Sequence, residues 1–254
     1  MKLPLGFISI LIDKQKIIKA VFFDIYGTIA DFYPPKQEIQ LSVTEKFNIT
    51  LEKNKILDAY KLANNFLVKQ NSIFPIRKMN DEEKLDFFSN YEKIIIDNSG
   101  SNVNINLAKK IWIEITKQRY ELRIFPDLIP CAKALRDMGL ILGLISNINI
   151  SGEEISKQLG ISSYFNYAFT SEDLGYEKPN KMIFEKSLNI AKLNPSEVVF
   201  VGDQVESDVL GAKNANILPI LLDRHNNYEN YTEVIKINDL FQVEEVIKNL
   251  SRSK

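Results

Sequence analysis

The clearest feature of the chain is a change in hydrophobic period along its length. Ile17 to Ile25 (IIKAVFFDI) is a near-continuous apolar run interrupted at Lys19, which predicts a strand buried on both faces. It closes on Asp24-Ile25-Tyr26-Gly27-Thr28, where Gly27 allows a sharp turn. Asp31 to Pro35 (DFYPP) reads as a linker, because two prolines stop regular structure from continuing. From Lys36 to Leu122 the spacing of apolar residues becomes three and four. This predicts helices over Glu38 to Phe47, Leu51 to Val68, Asp81 to Ile96 and Asn106 to Leu122. Pro126 and Pro130 mark the exit from this block. Beyond them, helices are expected at 128–138, 152–159, 181–191 and 207–214. Strands are expected at 140–146, 167–170, 198–201 and 217–222, followed by a last strand–helix pair ending near Leu250. Strands alternating with helices imply a parallel sheet covered on both faces. The fold class is therefore α/β, split after its first strand by a helical insertion. The expected division is a core of residues 1–32 and 124–254 with a helical domain at 33–123.

Composition narrows the function classes. An apolar fraction of 45% and a charged fraction of 26% suit a protein with a real core. Lys plus Arg number 32 against 33 for Asp plus Glu, a net charge of −1 that removes the electrostatic case for nucleic acid or an anionic membrane as partner. One cysteine, Cys131, and one histidine, His225, exclude an internal disulfide, a Cys/His zinc site and any mechanism that needs two histidines. No apolar run reaches the length of a membrane span. The short apolar stretch 5–12 meets Asp13-Lys14-Gln15-Lys16 rather than small residues. It reads as an extra strand or an extension, not a secretory signal, and a cytoplasmic location is expected. Cys131 has no His beside it and reads as inert. His225 reads as part of a surface loop. Phe87, Phe88, Tyr91 and Trp112 fall at helical spacing and read as helical-domain core.

In α/β sheets, ligands bind outside the carboxyl ends of the strands. Here those ends carry Asp24, then Ser146-Asn147, then Gly202-Asp203 with Asp208 five residues on, while Lys178 stands between in Tyr176-Glu177-Lys178-Pro179. Singly, each has an ordinary explanation: a turn former, a helix cap, a solvated lysine.

As an ordered set they resemble the haloacid dehalogenase (HAD) superfamily. VFFDIYGT (Val21 to Thr28) is similar to its first motif, D-x-D-G-T. LILGLISN (Leu140 to Asn147) is similar to its second, an apolar strand closed by Ser or Thr. Lys178 in YEKPN matches its third, and VVFVGDQVESD (Val198 to Asp208) its fourth, G-D-x-x-x-x-D. The resemblance implies a Rossmann-like core with an inserted helical (C1-type) cap, and hinges at Asp31–Pro35 and Arg123–Pro126. It implies phosphatase chemistry on a small phosphorylated substrate, with Asp24 as nucleophile through an aspartyl-phosphate. Mg²⁺ would be held by Asp24, Asp203 and the backbone carbonyl of Tyr26, since hard oxygen ligands suit it. Lys178 would neutralise charge on Asp24 and the phosphoryl group. Ser146 and the Asn147 N–H would bind the phosphoryl oxygens together with Lys178. Thr28 would brace the nucleophile loop at the substrate site, and Asp208 would orient Lys178 or a bound water.

One position departs from the phosphatase pattern. Tyr26 stands where those enzymes have the Asp that protonates the leaving group, a contribution of about 10²–10⁴-fold. An unperturbed phenol, with a pKa near about 10, replaces it poorly. Tyr26 resembles instead the D-x-Y-G-T of 2-haloacid dehalogenases, whose leaving halide needs no proton. A third possibility is a weakly catalytic binding protein. Dehalogenases, however, put Ser where this chain keeps Asp203, and two close carboxylates without a cation would be costly. The metal acid outweighs the tyrosine.

Overall fold

The computed structural model describes residues 17–252. The apolar stretch 5–12 lies outside the described residues. In chain order the elements are β1 (Ala20–Phe23), β2 (Ala30–Tyr33), helices α1 (Lys36–Lys46), α2 (Lys53–Ile73), α3 (Asp81–Asn98) and α4 (Ile105–Thr116), then β3 (Glu121–Ile124). There follow α5 (Leu128–Asp137), β4 (Ile141–Ser146), α6 (Gly152–Gln158), β5 (Tyr167–Thr170), α7 (Ser171–Leu174) and α8 (Lys181–Ala191). The chain ends with β6 (Val198–Gly202), α9 (Leu210–Asn214), β7 (Leu218–Leu222), β8 (Ile235–Ile237) and α10 (Phe241–Arg252). The described chain forms two compact units. One runs to Asp31 and resumes at Arg123; the other is Phe32–Leu122.

The first unit holds a six-stranded sheet in the order β5-β4-β1-β6-β7-β8, every neighbouring pair parallel. This is the α/β, Rossmann-like arrangement expected from alternating strands and helices. β1 and β6 are buried along their whole length, as their unbroken apolar runs require. Phe22, Phe184 and Phe200 fill the layer between the sheet and α8, with Phe184 meeting Phe200 edge-on at 5.1 Å. In register, Phe23 is level with Leu144 of β4 and Val201 of β6. The three strands that carry the candidate chemistry therefore end side by side. Cys131 is buried in α5, and burial, with Asp127 and Glu244 adding to it, pushes its thiol up to about 12, which suits an inert residue.

The second unit is built from α1–α4. An Asn80–Glu83 capping box starts α3: the Glu83 N–H donates to Asn80 Oδ1 and the Asn80 N–H to Glu83 Oε2, both at 2.9 Å. Its interior is apolar, with Val43, Ile56, Ala63, Ile95 and Ile111 packed together. Phe88 stacks on Trp112 at 4.5 Å and Phe66 on Phe87 at 4.8 Å, so these aromatics pack on one another. Among the described residues no helix is long and apolar enough to cross a membrane.

Three local expectations need correction. Asp31–Pro35 is not a bare linker, since Ala30–Tyr33 forms β2, which pairs with β3 in a separate two-stranded sheet. The prolines bound that strand instead of preventing it. The helix expected to reach Leu122 stops at Thr116, and Glu121-Leu122-Arg123-Ile124 alternates exposed and half-buried positions as β3. The helix expected from Ser207 begins with a wide π-turn over Val205–Val209, in which the Asp208 and Val209 N–H groups both donate to the Gln204 carbonyl.

One polar cluster interrupts the helical unit's core. Glu92 is fully buried; Gln40 Nε2 donates to its Oε1, and its Oε2 has no partner among the described residues. Tyr60 OH donates to Gln40 Oε1 at 3.0 Å, and Tyr91 OH to Asn64 Oδ1 at 2.8 Å. The Lys36 ammonium lies 4.9 Å from the centre of the Tyr60 ring. Burial raises the Glu92 carboxyl from 4.5 to about 7, against the opposing pull of the Gln40 hydrogen bond. An acid whose folded pKa is raised stabilises fully below its unfolded value and loses that contribution as pH rises through the folded one. The loss is roughly 3 kcal/mol at most. Glu92→Gln is therefore expected to melt with the wild type near pH 5 and above it near pH 8. A constant offset between the two proteins across that range would refute this account of Glu92.

Candidate active site

The site is assembled from the carboxyl ends of β4, β1 and β6. Asp24 follows β1 directly, and its N–H donates to the Val201 carbonyl at 2.9 Å, tying the start of the loop to the neighbouring strand. The loop then turns back on itself through bonds from the Ile29 and Ala30 N–H groups to the Ile25 carbonyl, both 2.9 Å. Tyr26 bridges to Ala30, and the Gly27 N–H donates to the Ala30 carbonyl at 2.9 Å. Gly27 is obligatory on two counts. Its φ is +75°, and a Cβ there would lie 2.4 Å from Asp203 Oδ2. Gly202 has a similar reason, because a Cβ on it would meet Asp208 Cγ at 2.4 Å.

Around Asp24 the polar groups converge. Ser146 Oγ, at the end of β4, donates to Asp24 Oδ1 at 2.9 Å. Lys178 Nζ donates to Asp24 Oδ1 and to Asp208 Oδ1, each at 2.6 Å. The three charged groups are all buried, with Lys178 only 3% exposed. Asp208 spends its second oxygen, Oδ2, on the Gln204 N–H at 3.0 Å. Thr28 is fully buried and its hydroxyl donates to Asp203 Oδ1 at 3.4 Å. Thus Asp24, Thr28, Ser146, Lys178, Asp203 and Asp208, separated by up to 184 positions in sequence, lie in one cluster, with Tyr26 in the same loop.

Electrostatics follows from this burial. Desolvation works against the Lys178 ammonium, but Asp208 and Asp24 outweigh it, and its pKa ends above the ordinary lysine value. Burial raises Asp208 to about 6, with Lys178 pulling down and the Asp24 charge pushing up. The pair is a charge-assisted bridge in which the lysine holds two carboxylates at once.

Asn147 contributes more than a backbone N–H. Its side chain reads both sides of the Lys178 main chain: the Lys178 N–H donates to Asn147 Oδ1 at 2.7 Å, and Asn147 Nδ2 donates to the Lys178 carbonyl at 2.9 Å. An amide presents a donor and an acceptor at the spacing of a peptide unit, so this clamp aims the lysine inward. Sequence reasoning missed it, because turn chemistry explains an Asn after a strand equally well. Arg224, two residues past β7, was missed too, although its guanidinium donates to the Thr28 carbonyl of the Asp24 loop at 2.8 Å. His225, next to it, is exposed.

The acid cluster suits a hard divalent cation. Asp24, Asp203 and Asp208 each offer an oxygen, and these atoms lie within 4.8 Å of one another. Since both Asp208 oxygens are engaged, Asp24 and Asp203 are the carboxylates better placed to bind one, and the space against Asp203 exists only because residue 27 has no side chain.

A parallel sheet with a buried carboxylate at the end of one strand, a lysine bridging two acids and a third acid beside them describes a hydrolase that works through charged groups. The profile of the haloacid dehalogenase-like hydrolases matches residues 18–216, and the chain belongs to that family. Glyceraldehyde 3-phosphate phosphatase of Methanothermobacter thermautotrophicus is 30% identical over 242 residues, which cover 91% of this chain and all of that protein. A HAD-family hydrolase of Bacillus subtilis, solved with magnesium bound, superposes with a TM-score of 0.63 at 18% identity, covering 92% of this chain and 100% of its own. A 2-haloacid dehalogenase of Pseudomonas syringae superposes with a TM-score of 0.56 at 22% identity, covering 92% and 99%. The fold is shared by phosphatases and dehalogenases and does not choose between them.

Proposed function

We propose that this chain is a Mg²⁺-dependent phosphatase that acts on a small phosphorylated metabolite through an aspartyl-phosphate on Asp24. The observation that carries the reading is Asp203, an acid kept beside Asp24 where a dehalogenase would have serine. The similarity to a glyceraldehyde 3-phosphate phosphatase supports it and points to sugar- or triose-sized substrates.

In this reading an Asp24 carboxylate oxygen attacks phosphorus as the bond to the leaving oxygen breaks. Water then attacks the same phosphorus, which returns the carboxylate and releases phosphate. Mg²⁺ held by Asp24, Asp203 and the Tyr26 carbonyl would screen the charge between carboxylate and phosphate. Lys178 offsets the negative charge that builds on the transferring group, and Ser146 with the Asn147 N–H donates to its oxygens. Asp208 holds Lys178 in place, while Thr28 braces the loop against Asp203. With Tyr26 in place of the carboxylic acid, the leaving oxygen takes its proton from water, and substrates that leave readily are cleaved fastest. We assign residues 33–123 the role of the cap that selects the substrate.

The test is product release by the purified chain, with and without Mg²⁺. Acetyl phosphate, an aryl phosphate and glyceraldehyde 3-phosphate are assayed for phosphate, and 2-chloropropionate for halide. Mg²⁺-dependent phosphate release, fastest from acetyl and aryl phosphates, is expected. Tyr26 favours the second reading, and metal-independent halide release would establish it in place of the first. Silence in every arm would instead point to a binding role.

A further inference from the structure

We propose that Arg224 is a positioning residue for the loop that carries Asp24, acting through the Thr28 carbonyl. The inference rests on the phosphatase reading for its kinetic consequence and on the core unit alone for its geometry.

Arg224 stands two residues past β7, the strand beside β6, and its guanidinium reaches the nucleophile loop. Nη2 donates to the Thr28 carbonyl at 2.8 Å. The same nitrogen donates to Asp127 Oδ1 at 3.0 Å, and Nη1 to Asp127 Oδ2 at 2.7 Å. That is a two-pronged fork on a carboxylate which is itself buried and which also accepts the Leu240 N–H at 2.9 Å. The face of the guanidinium lies 4.0 Å from the centre of the Phe125 ring. The preceding residue fixes the base of the side chain: buried Asp223 accepts the Asn227 and Tyr228 N–H groups at 2.6 and 2.9 Å. Both terminal nitrogens of the guanidinium are thus engaged, while its buried Nε has no partner among the described residues.

What it meets is the part of the loop opposite the carboxylates. The Thr28 carbonyl is held by Arg224, and the next carbonyl, Ile29, by the Phe125 N–H at 2.9 Å. On its other side Thr28 turns its hydroxyl to Asp203. A peptide unit pinned by its carbonyl cannot rotate, so Arg224 decides where that hydroxyl points, and with it the spacing of Asp203 and Asp24. A part-buried ion pair of this kind adds little net stability, and here it fixes one arrangement of the loop. Lysine could keep the charge but could not make the planar fork and the carbonyl bond together.

Two variants, Arg224→Lys and Asp127→Asn, separate positioning from folding. Both are expected to melt as a single folded species with β1 and β6 amides still protected from hydrogen exchange. Amides of residues 27–30 are expected to exchange faster, and the Mg²⁺ affinity of the free protein, read by titration calorimetry, to fall. With a substrate that the wild type hydrolyses, kcat is expected to drop by about 10²-fold, the scale of a small misplacement of reacting groups, while KM changes little. Arg224→Lys should not rescue kcat. Unchanged exchange at residues 27–30 would overturn the proposal whether or not the protein is a phosphatase. Wild-type kcat and Mg²⁺ affinity alongside a lowered melting temperature would do so as well, leaving the ion pair a purely structural one. A wild type without phosphatase activity would sink the phosphatase reading alone, since the exchange arm still reports on Arg224.

Discussion

Asp24→Asn is expected to abolish phosphate release, by on the order of 10⁴-fold or more, while leaving a folded protein. Asparagine has the same shape as aspartate and can still accept from Ser146 Oγ and Lys178 Nζ, so the local hydrogen bonds survive. Lys178 keeps Asp208 as its counter-charge, so no buried cation is stranded. What is lost, in the proposed mechanism, is the nucleophile itself, because an amide oxygen would not form the covalent intermediate. The check is phosphate release measured beside the melting temperature. Retention of a tenth of the wild-type rate by a well-folded variant would remove Asp24 from its assigned role, and with it the covalent route.

Lys178→Met is expected to damage both stability and turnover. In the wild type one ammonium sits 2.6 Å from two carboxylates in a buried site. Methionine fills similar volume but leaves Asp24 and Asp208 facing each other without a positive charge. Removing one partner of a buried ion pair costs about 3–5 kcal/mol. For a chain of this size that corresponds to roughly 10 °C in melting temperature. The variant can recover part of the loss by protonating one acid. Burial already raises Asp208, and without the opposing pull of Lys178 its folded pKa rises further; such a group stabilises below its unfolded pKa and less so as pH rises. The deficit against wild type is therefore expected to shrink towards acid pH. Combining Lys178→Met with Asp24→Asn should restore stability relative to Lys178→Met alone, a coupling that a double-mutant cycle reads directly. If the double variant is less stable than either single one, the electrostatic account of the cluster fails.

The contrast between the two buried acids is instructive. Asp208 and Glu92 are both pushed up by desolvation, yet Asp208 faces a lysine while Glu92 accepts from the Gln40 amide. The first sits where the candidate chemistry is; the second lies among the helices of the other unit, with one oxygen lacking a partner among the described residues. Perturbed groups gather at functional sites, but perturbation alone does not make one.

The α/β class and the residues closing β1, β4 and β6 were legible in the amino-acid pattern. A strand buried on both faces needs an unbroken apolar run, so a polar residue at its end is conspicuous. Parallel strands then place all such ends on one edge, so Asp24, Ser146 and Asp203 could be expected together without any knowledge of packing. The strands β2 and β3 escaped notice because each has four residues, too few for a period of two to stand out beside prolines and a long helix. The π-turn at Val205–Val209, beside which Asp208 Oδ2 accepts the Gln204 N–H, escaped because such a local side-chain bond leaves no periodic trace.

The sequence by itself thus determined the alternation of strands and helices that makes the core sheet, the family and the chemical types gathered at the strand ends. These follow from hydrophobic burial and from short motifs, which are properties of neighbouring residues. Only the tertiary structure decided which oxygen Lys178 grips, that Asn147 clamps the lysine main chain, and that Arg224 reaches Thr28 across 196 positions. Those are hydrogen bonds of fixed direction between distant segments. Direction is settled by three-dimensional packing, and no pattern of residue types along the chain encodes it.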